Sequence, residues 1–214
     1  MKVKICGIRS ECDLVMAINA GADAVGFITD VPVDSPRKIT LSEASRLISL
    51  VPVFVTSVLV IMPKNAYEAI EMIHAAKPTA VQIHNSLPIN ELKEIKKTGV
   101  KLIKTIPVLR HADIRVLFDI VKGLSGIVDA VLLDTALGGK TGGTGVVHNW
   151  ELSSDIVRKA GLPVILAGGL NPTNVRDAVK CVRPYAVDTA SGVETQGKKD
   201  ENKLNDFIKN ARML

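Results

Sequence analysis

The amino-acid sequence predicts a single (β/α)8 barrel over residues 1–214, with a parallel eight-stranded core. Three observations support this. Short apolar runs alternate with amphipathic segments along the chain, the pattern of repeated strand-helix units around a parallel sheet. The length of 214 residues suits one such barrel, near the small end of its range. The last two apolar runs, 164–167 and 186–188, both end in small residues. Loops after strands seven and eight of these barrels commonly bind phosphate.

The strands follow from short apolar runs bounded by turn residues. We predict them at 2–6, 24–28, 52–61, 80–84, 101–106, 128–134, 164–167 and 186–188. Helices are expected where apolar residues recur at helical spacing, as Leu14, Ala17 and Ile18 do before Gly21. The predicted helices cover 11–20, a segment beginning at 41, then 63–76, 89–97, 111–122, 150–160, 174–182 and 200–212. The loop at 29–40 is polar and long for a barrel connection, which suggests a functional role.

Composition limits the class of protein. Hydrophobic residues make up 47% of the chain and aromatic residues only 3%, so the core must be aliphatic. No apolar run is long enough to cross a membrane, and the N-terminal residues lack the apolar stretch of a signal peptide. We therefore expect a cytoplasmic protein without a membrane partner. The three cysteines have no metal-binding spacing, and Cys12 and Cys181 are expected to be inert packing residues in helices.

The chain is basic, with a formal net charge of +5 and an isoelectric point near 9.1. A basic protein can attract nucleic acid or a small anionic substrate. Here Lys and Arg are scattered over helical segments, and aromatic residues for stacking on bases are scarce. We therefore expect a small phosphorylated substrate and no nucleic-acid partner.

Two glycine-containing turns provide a candidate phosphate site. Gly168 and Gly169 follow the seventh strand, and Ser191 and Gly192 follow the eighth. Glycine lets a ligand approach the backbone closely, and N–H groups at a turn or helix start favour an anion. A third glycine-rich segment, 138–145, is not a Walker motif. It is better interpreted as a lid or substrate loop.

Reactive residues are expected at the strand ends, because the last side chains of barrel strands point into the pocket. Strand one ends in Cys6 and strand six in Asp134. A thiol and a carboxylic acid facing one pocket can act as base and acid. A free cysteine has a pKa near 8.5 and must be shifted down, or deprotonated transiently, to act as base near neutral pH. Buried cysteine is more often structural, but a carboxylate after an apolar strand is costly to bury without a purpose.

Three further residues have alternative interpretations. Asp188 at the end of strand eight could serve the site or bind a neighbouring loop. His84 at the end of strand four could contact substrate or be a satisfied inward-facing histidine. Arg37 in the loop at 29–40 could be a solvated charge, or it could bind a carboxylate through two hydrogen bonds.

Eight motifs, in order along nearly the whole chain, resemble the phosphoribosylanthranilate isomerase family of tryptophan biosynthesis. They are KICGI at 4–8, SPR at 35–37, VQIH at 81–84, LLD at 132–134, GGTG at 142–145, LAGGLNPTNV at 166–175, and SGVE with GKKD within 191–200. Each motif alone is weak. Their order makes the resemblance specific.

The resemblance implies an Amadori rearrangement that needs no metal or organic cofactor. The aspartate matching Asp134 would protonate the furanose ring oxygen, and the cysteine matching Cys6 would take the proton from C2′. The arginine matching Arg37 would hold the anthranilate carboxylate. The remaining substrate-binding candidates are His84, Gly142, Gly143, Gly145, Gly168, Gly169, Asp188, Ser191 and Gly192. Such an enzyme would be a monomer or a homodimer.

Two alternatives remain open at this stage. One is another phosphosugar isomerase or epimerase on the same barrel. The isomerase of histidine biosynthesis would be expected to carry an aspartate on strand one, where this chain has Cys6. The other alternative is a non-catalytic barrel that binds an anionic partner, which would not explain Cys6 and Asp134 at two strand ends.

Overall fold

A computed structural model describes residues 1–109, 112–137, 140–141 and 149–213, with the backbone alone described at 136, 137, 140 and 141. Eight parallel strands form the barrel: β1 Lys2–Cys6, β2 Ala24–Thr29, β3 Thr56–Ile61, β4 Ala80–Ile83, β5 Lys101–Leu109, β6 Ala130–Leu137, β7 Val164–Leu166 and β8 Ala186–Thr189. Each strand precedes one helix: α1 Glu11–Asn19, α2 Leu41–Ser49, α3 Ala66–Ala76, α4 Ile89–Lys96, α5 Ile114–Leu124, α6 Trp150–Lys159, α7 Val175–Val182 and α8 Glu201–Arg212.

The barrel closes because β1 pairs with both of its neighbours. It pairs in parallel with β2, with Cys6 opposite Gly26, and with β8, with Lys4 opposite Asp188. The remaining strands pair in chain order from β2 to β8. The predicted (β/α)8 barrel is therefore confirmed.

The apolar core has two parts, because the side chains of each strand point alternately toward the helices and into the barrel. One set of side chains, such as Val3 and Ile5 of β1, packs outward against the helices. The other set fills the barrel interior and is smaller, as Val58, Ala80 and Leu132 illustrate. Because successive side chains of a strand face opposite sides, Lys4 and Cys6 share the inner side of β1. The aliphatic composition suits this layered packing.

The predicted strand three was too long at its start. It was expected from residue 52, but β3 begins at Thr56. Pro52 has no N–H to donate to a neighbouring strand, and Val53 and Phe54 are exposed, at 86% and 100%. Strand six was predicted too short, since β6 continues past Asp134 to Leu137 and pairs there with β5.

Capping side chains fix where several helices begin. Ser10, Thr40 and Asn65 each accept a hydrogen bond from the backbone N–H three residues further on. Each such cap contributes about 1 kcal/mol to stability. The caps place the helix starts directly after the loops at the carboxyl ends of the strands.

Two short additional pairings shape the loops above the barrel. Lys38–Ile39 extends the sheet beside β2, which anchors the end of the loop at 29–40. Glu194–Thr195 pairs antiparallel with Lys198–Lys199, after a single 3-10 turn at Ser191–Val193. This hairpin brings Glu194 and Lys199 to the same end of the barrel. Among the helices of the described residues, none combines the length and apolar character needed to span a bilayer.

Candidate active site

Polar side chains gather inside the carboxyl end of the barrel. Cys6, Asp134 and Asp188 are each at most 7% exposed and face inward from β1, β6 and β8. His84 follows β4 and is partly buried. Four sequence-predicted residues therefore meet in one interior, where active sites of this fold lie.

The Cys6 thiol lies in a charged but buried environment. Burial raises the pKa of the thiol, while the nearby ammonium groups of Lys4 and Lys199 act to lower it. The carboxylate of Asp188, like burial, acts to raise the pKa of the thiol. The thiol therefore has cationic neighbours that favour the thiolate, but in this structure burial outweighs them.

Lys4 and Asp188 form an ion pair inside the barrel. The Nζ atom of Lys4 donates to Oδ1 of Asp188 at 2.9 Å, and the lysine side chain is 3% exposed. Burial acts to lower the pKa of Lys4, but Asp188 and the Cys6 thiol outweigh it and raise the pKa. Asp188 thus holds a charged lysine beside Cys6, and the alternative of a bond to a neighbouring loop is not what the structure shows.

Asp134 lies near His84 across the barrel interior. The distance from Nε2 of His84 to Oδ2 of Asp134 is 3.6 Å, which is longer than a hydrogen bond. Burial raises the pKa of Asp188, and the charge of Asp134 acts in the same direction. Asp134 therefore belongs to the same electrostatic cluster as Lys4 and Cys6.

Arg37 is neither solvated nor free to offer its whole guanidinium to a ligand. Its Nε and Nη2 atoms donate to the two carboxylate oxygens of Glu194, at 2.8 and 2.6 Å. Lys199 donates to the same carboxylate at 2.8 Å and to the carbonyl oxygens of Cys6 and Ala190. Arg37 is thus fixed by an internal partner, and its bonds within the described residues leave Nη1 unused.

The two turns of the candidate phosphate site lie against each other. The hydroxyl of Thr189 donates to the carbonyl oxygen of Leu170 at 2.7 Å. A Cβ atom added to Gly192 would come within 1.9 Å of that same oxygen, so only glycine permits this contact. The backbone N–H groups of Gly169, Ser191 and Gly192 make no hydrogen bond with any other described residue. Unpaired N–H groups from adjacent turns are suited to bind an anion.

Gly168 shapes the start of this site. It has a φ of +89°, and an added Cβ would lie 2.1 Å from Oγ1 of Thr135. The turn after β7 therefore packs directly on the end of β6, one residue beyond Asp134. This contact couples the position of the phosphate turn to that of the candidate acid.

Several residues singled out in the sequence do not contribute to the site that the structure describes. Gly142, Gly143 and Gly145 lie outside the described residues. Cys12 and Cys181 were expected to pack in the core, but both are exposed because they lie on the outer faces of α1 and α7. Within the described part of the chain, no group of three or more His, Cys, Asp or Glu residues is arranged to hold a metal ion.

Sequence reasoning missed three charged residues that contact the candidate site residues: Lys4, Glu194 and Lys199. Lys4 could have been found, because it lies two residues before Cys6 and must share its side of the strand. Glu194 and Lys199 lie within the motifs SGVE and GKKD, but no local pattern indicated which residues they contact. Their contact with each other and with Arg37 depends on the hairpin and on the fold of a loop far away in the chain.

Comparison with known proteins identifies the family. A family model described as "N-(5'phosphoribosyl)anthranilate (PRA) isomerase" matches residues 3–210. The N-(5'-phosphoribosyl)anthranilate isomerase of Methanosarcina acetivorans is 53% identical over 221 residues, covering 99% of this chain and 93% of the relative.

Solved structures agree with this match. The phosphoribosyl anthranilate isomerase of Thermotoga maritima superposes with a TM-score of 0.87 at 35% identity, covering 100% of both chains. A second structure of such an isomerase, in complex with reduced 1-(o-carboxyphenylamino)-1-deoxyribulose 5-phosphate, has a TM-score of 0.83 at 34% identity and also covers 100% of both chains. A third, described as monomers of the dimeric Thermotoga maritima enzyme, has a TM-score of 0.84 at 32% identity over 100% of both chains.

The family match decides between the alternatives that the sequence left open. The motifs, the barrel and the whole-chain similarity all agree on one reaction. The chain therefore belongs to the N-(5'-phosphoribosyl)anthranilate isomerase family and is an isomerase of tryptophan biosynthesis.

Proposed function

We propose that Cys6 is the general base and Asp134 the general acid of this isomerisation. The observation that carries the proposal is that both side chains are buried in the same barrel interior, with Cys6 at the end of β1 and Asp134 in the carboxyl-terminal half of β6. A thiol and a carboxyl group on different strands can act on different atoms of one substrate.

The reaction begins with opening of the ribose ring of N-(5-phosphoribosyl)anthranilate. Asp134 gives a proton to the furanose ring oxygen, the C1′–O bond breaks, and the anthranilate nitrogen becomes an iminium ion. Cys6 then takes the proton from C2′, and the electrons of that C–H bond neutralise the iminium. The enolamine that forms tautomerises to 1-(2-carboxyphenylamino)-1-deoxyribulose 5-phosphate. No cofactor enters this scheme, because the substrate nitrogen is the electron sink.

The substrate is held at two anionic ends. We assign the phosphate to the N–H groups of Gly169, Ser191 and Gly192. We assign the anthranilate carboxylate to the Nη1 side of Arg37, because Glu194 already occupies Nε and Nη2. His84 lies beside Asp134 and is proposed to contact the substrate. Since this substrate is a small charged molecule, we also propose that the protein acts in the cytoplasm.

Anthranilate fluorescence tests these roles. Phosphoribosylanthranilate is generated in situ, and the loss of its fluorescence is followed with the wild-type protein, Cys6→Ala and Asp134→Asn. We expect each variant to fold and to lower kcat by roughly 100- to 10,000-fold, the usual contribution of general acid-base catalysis. Cys12→Ala is the matched control, because it removes an exposed cysteine of α1 and should leave kcat unchanged. Wild-type turnover by either site variant would disprove the role of that residue.

We further propose that the protein forms a homodimer through the amino-terminal end of its barrel. Val53 and Phe54 are exposed directly before β3 and border a cavity of about 530 Å³ that also reaches Ile48 of α2 and Ala76 of α3. An exposed phenylalanine beside an open cavity is the pattern of a reciprocal interface, and the similar Thermotoga maritima enzyme is described as dimeric. A second copy of this chain is the occupant that we propose.

A further inference from the structure

The carboxyl end of β1 carries two functional groups on its inner side. Lys4 and Cys6 are two residues apart, and both point into the barrel, where the lysine side chain extends toward the thiol. Gly26 of β2 lies opposite Cys6. A Cβ atom at position 26 would lie 2.8 Å from Sγ of Cys6 and 3.2 Å from Cε of Lys4. The two side chains therefore share the space that a side chain of β2 would otherwise fill.

Lys4 has no freedom to leave this position. It is 3% exposed, and its ammonium is bound to Asp188 at 2.9 Å on the neighbouring strand. A buried cation is stable only when it is paired, so Asp188 both retains the charge and fixes its location. Within the proposed reaction Lys4 transfers no proton.

We propose that Lys4, held by Asp188, is a positioning residue that stabilises the thiolate of Cys6 before it takes the proton from C2′. The inference rests on the proposed role of Cys6 as base. In the proton-transfer step, the thiolate sulfur binds the C2′ proton, the C–H electrons move toward the iminium nitrogen, and Lys4 keeps its own proton throughout. The cation thus favours the reactive form of Cys6 without taking part in bond changes.

Other charged groups also face the thiol, and the effect of Lys4 must be separated from theirs. Asp188 of β8, Lys199 of the hairpin after β8 and Arg37 of the loop after β2 act on the thiol directly. Glu194 acts on Arg37 and Lys199, and Asp134 of β6 acts on Asp188. Lys199 also favours the thiolate. However, Glu194 pairs with Lys199, and burial lowers the pKa of Lys199. Lys4 has the largest influence among the cations around Cys6.

The thiol pKa can be measured without any turnover. In a Cys12→Ser/Cys181→Ser protein, Cys6 is the single thiol, since the chain has 3 cysteines. The ultraviolet absorbance of the thiolate is titrated against pH, with Cys6→Ala in the same background subtracted to remove the tyrosine signal. This readout reports the thiol pKa whether or not Cys6 is the catalytic base, so failure of this inference and failure of the proposed function are distinguishable.

Four variants test the inference, because the Cys6 thiol pKa is expected to rise in some of them and to fall or stay unchanged in others. Lys4→Met should raise the thiol pKa by about one unit or more, the effect of losing an opposite charge at close range, whereas Lys4→Arg should stay near wild type. Asp188→Asn should lower the thiol pKa, because it removes a negative charge that acts to raise that pKa and leaves the Lys4 ammonium without its carboxylate partner. Adding Lys4→Met to Asp188→Asn should reverse that decrease. The rising limb of the pH profile of kcat/KM should move with the thiol pKa in every variant that folds by circular dichroism.

Two outcomes would overturn the inference. One is a thiol pKa in Lys4→Met that equals the wild-type value. The other is an equal thiol pKa in Asp188→Asn and the double variant, which would show that Lys4 acts only in folding. If Lys4→Met alone fails to fold, the comparison of Asp188→Asn with the double variant and with Lys4→Arg still decides the question.

Discussion

Arg37 and Glu194, 157 residues apart in the chain, meet in a salt bridge that uses two guanidinium nitrogens and both carboxylate oxygens. Burial opposes ionisation of Glu194, but the hydrogen bonds from Arg37 and Lys199 hold the pKa of that carboxyl below its usual range. The pair fixes the direction in which the remaining face of Arg37 points. If Arg37 binds the substrate carboxylate as proposed, that carboxylate meets a guanidinium that is already oriented.

Replacing Glu194 by Gln should weaken substrate binding more than turnover. The variant keeps the size of the side chain and loses the charge that orients Arg37. Because a hydrogen bond to a charged group is worth roughly 1.5–3 kcal/mol, we expect KM to rise by about tenfold or more. Steady-state fluorescence assays would measure KM and kcat separately.

Glu43→Gln is the matched control for this variant. Glu43 forms the same kind of two-point salt bridge with Arg46, but on the exposed surface of α2. Such surface pairs contribute little, so KM and stability should be unchanged. Equal KM values for Glu194→Gln and the wild type would contradict an orienting role for Glu194.

Gly192→Ala should disturb the proposed phosphate site and the fold together. The new Cβ would contact the carbonyl oxygen of Leu170 at 1.9 Å, so the turn must move. We expect a loss of roughly 1–3 kcal/mol in the free energy of unfolding, the usual cost of overpacking, and a higher KM. Urea denaturation and the fluorescence assay would measure the two effects.

Gly123→Ala is the control for this variant, and it should increase the free energy of unfolding instead of decreasing it. Gly123 lies in α5, and nothing is within 4 Å of a Cβ added there. Alanine is a better helix former than glycine, so we expect a gain of about 0.5–1 kcal/mol and an unchanged KM. A stable Gly192→Ala protein with normal KM would argue against close contact between the two turns.

Lys104 should make stability depend on pH in the alkaline range. It is buried on β5, its ammonium donates to the carbonyl oxygens of Ile83 and Thr105, and burial lowers its pKa from 10.5 to about 8. Between these values the unfolded chain binds a proton that the folded protein has lost, so stability increases as pH rises through 8 toward 10.5 and is lost as pH falls through 8.

Lys104→Met should remove this dependence. It should stabilise the protein by roughly 2–3 kcal/mol at pH 7, where the folded state must bury the charge, and by little at high pH. Urea denaturation across this range, with the exposed Lys180→Met as control, measures the difference. Parallel stability curves for Lys104→Met and the wild type would rule out a depressed lysine pKa.

Phe54→Asp should separate the proposed dimer without affecting catalysis. A charge at this exposed position cannot be buried against a second copy at low cost. We expect light scattering to show the monomer mass for the variant and the dimer mass for the wild type, with equal kcat. Tyr67→Asp is the control, since Tyr67 is also exposed but lies at the start of α3, toward the opposite end of the barrel. An identical mass for Phe54→Asp and the wild type would disprove the interface.

The sequence by itself determined the fold and the main candidates for the chemistry. Strands such as residues 2–6 and 128–134 were recognisable from apolar runs, because a strand buried on both faces of a parallel sheet is nearly continuous in hydrophobicity. Cys6 and Asp134 were recognisable because they end the apolar runs that predict these strands. The glycine turns at 168–169 and 191–192 were visible because few other residues permit so close a backbone approach.

Only the tertiary structure decided which charges meet. Lys4 pairs with Asp188 across 184 residues because closing the barrel brings its first and last strands together. Arg37 meets Glu194 because two separate loops fold over the same end of the barrel. Sequence patterns over a few neighbouring residues predict burial and turns, but they do not predict contacts between charged residues that are far apart in the chain. The electrostatic environment of Cys6 therefore depends on the closed barrel and could not be derived from the residues next to it.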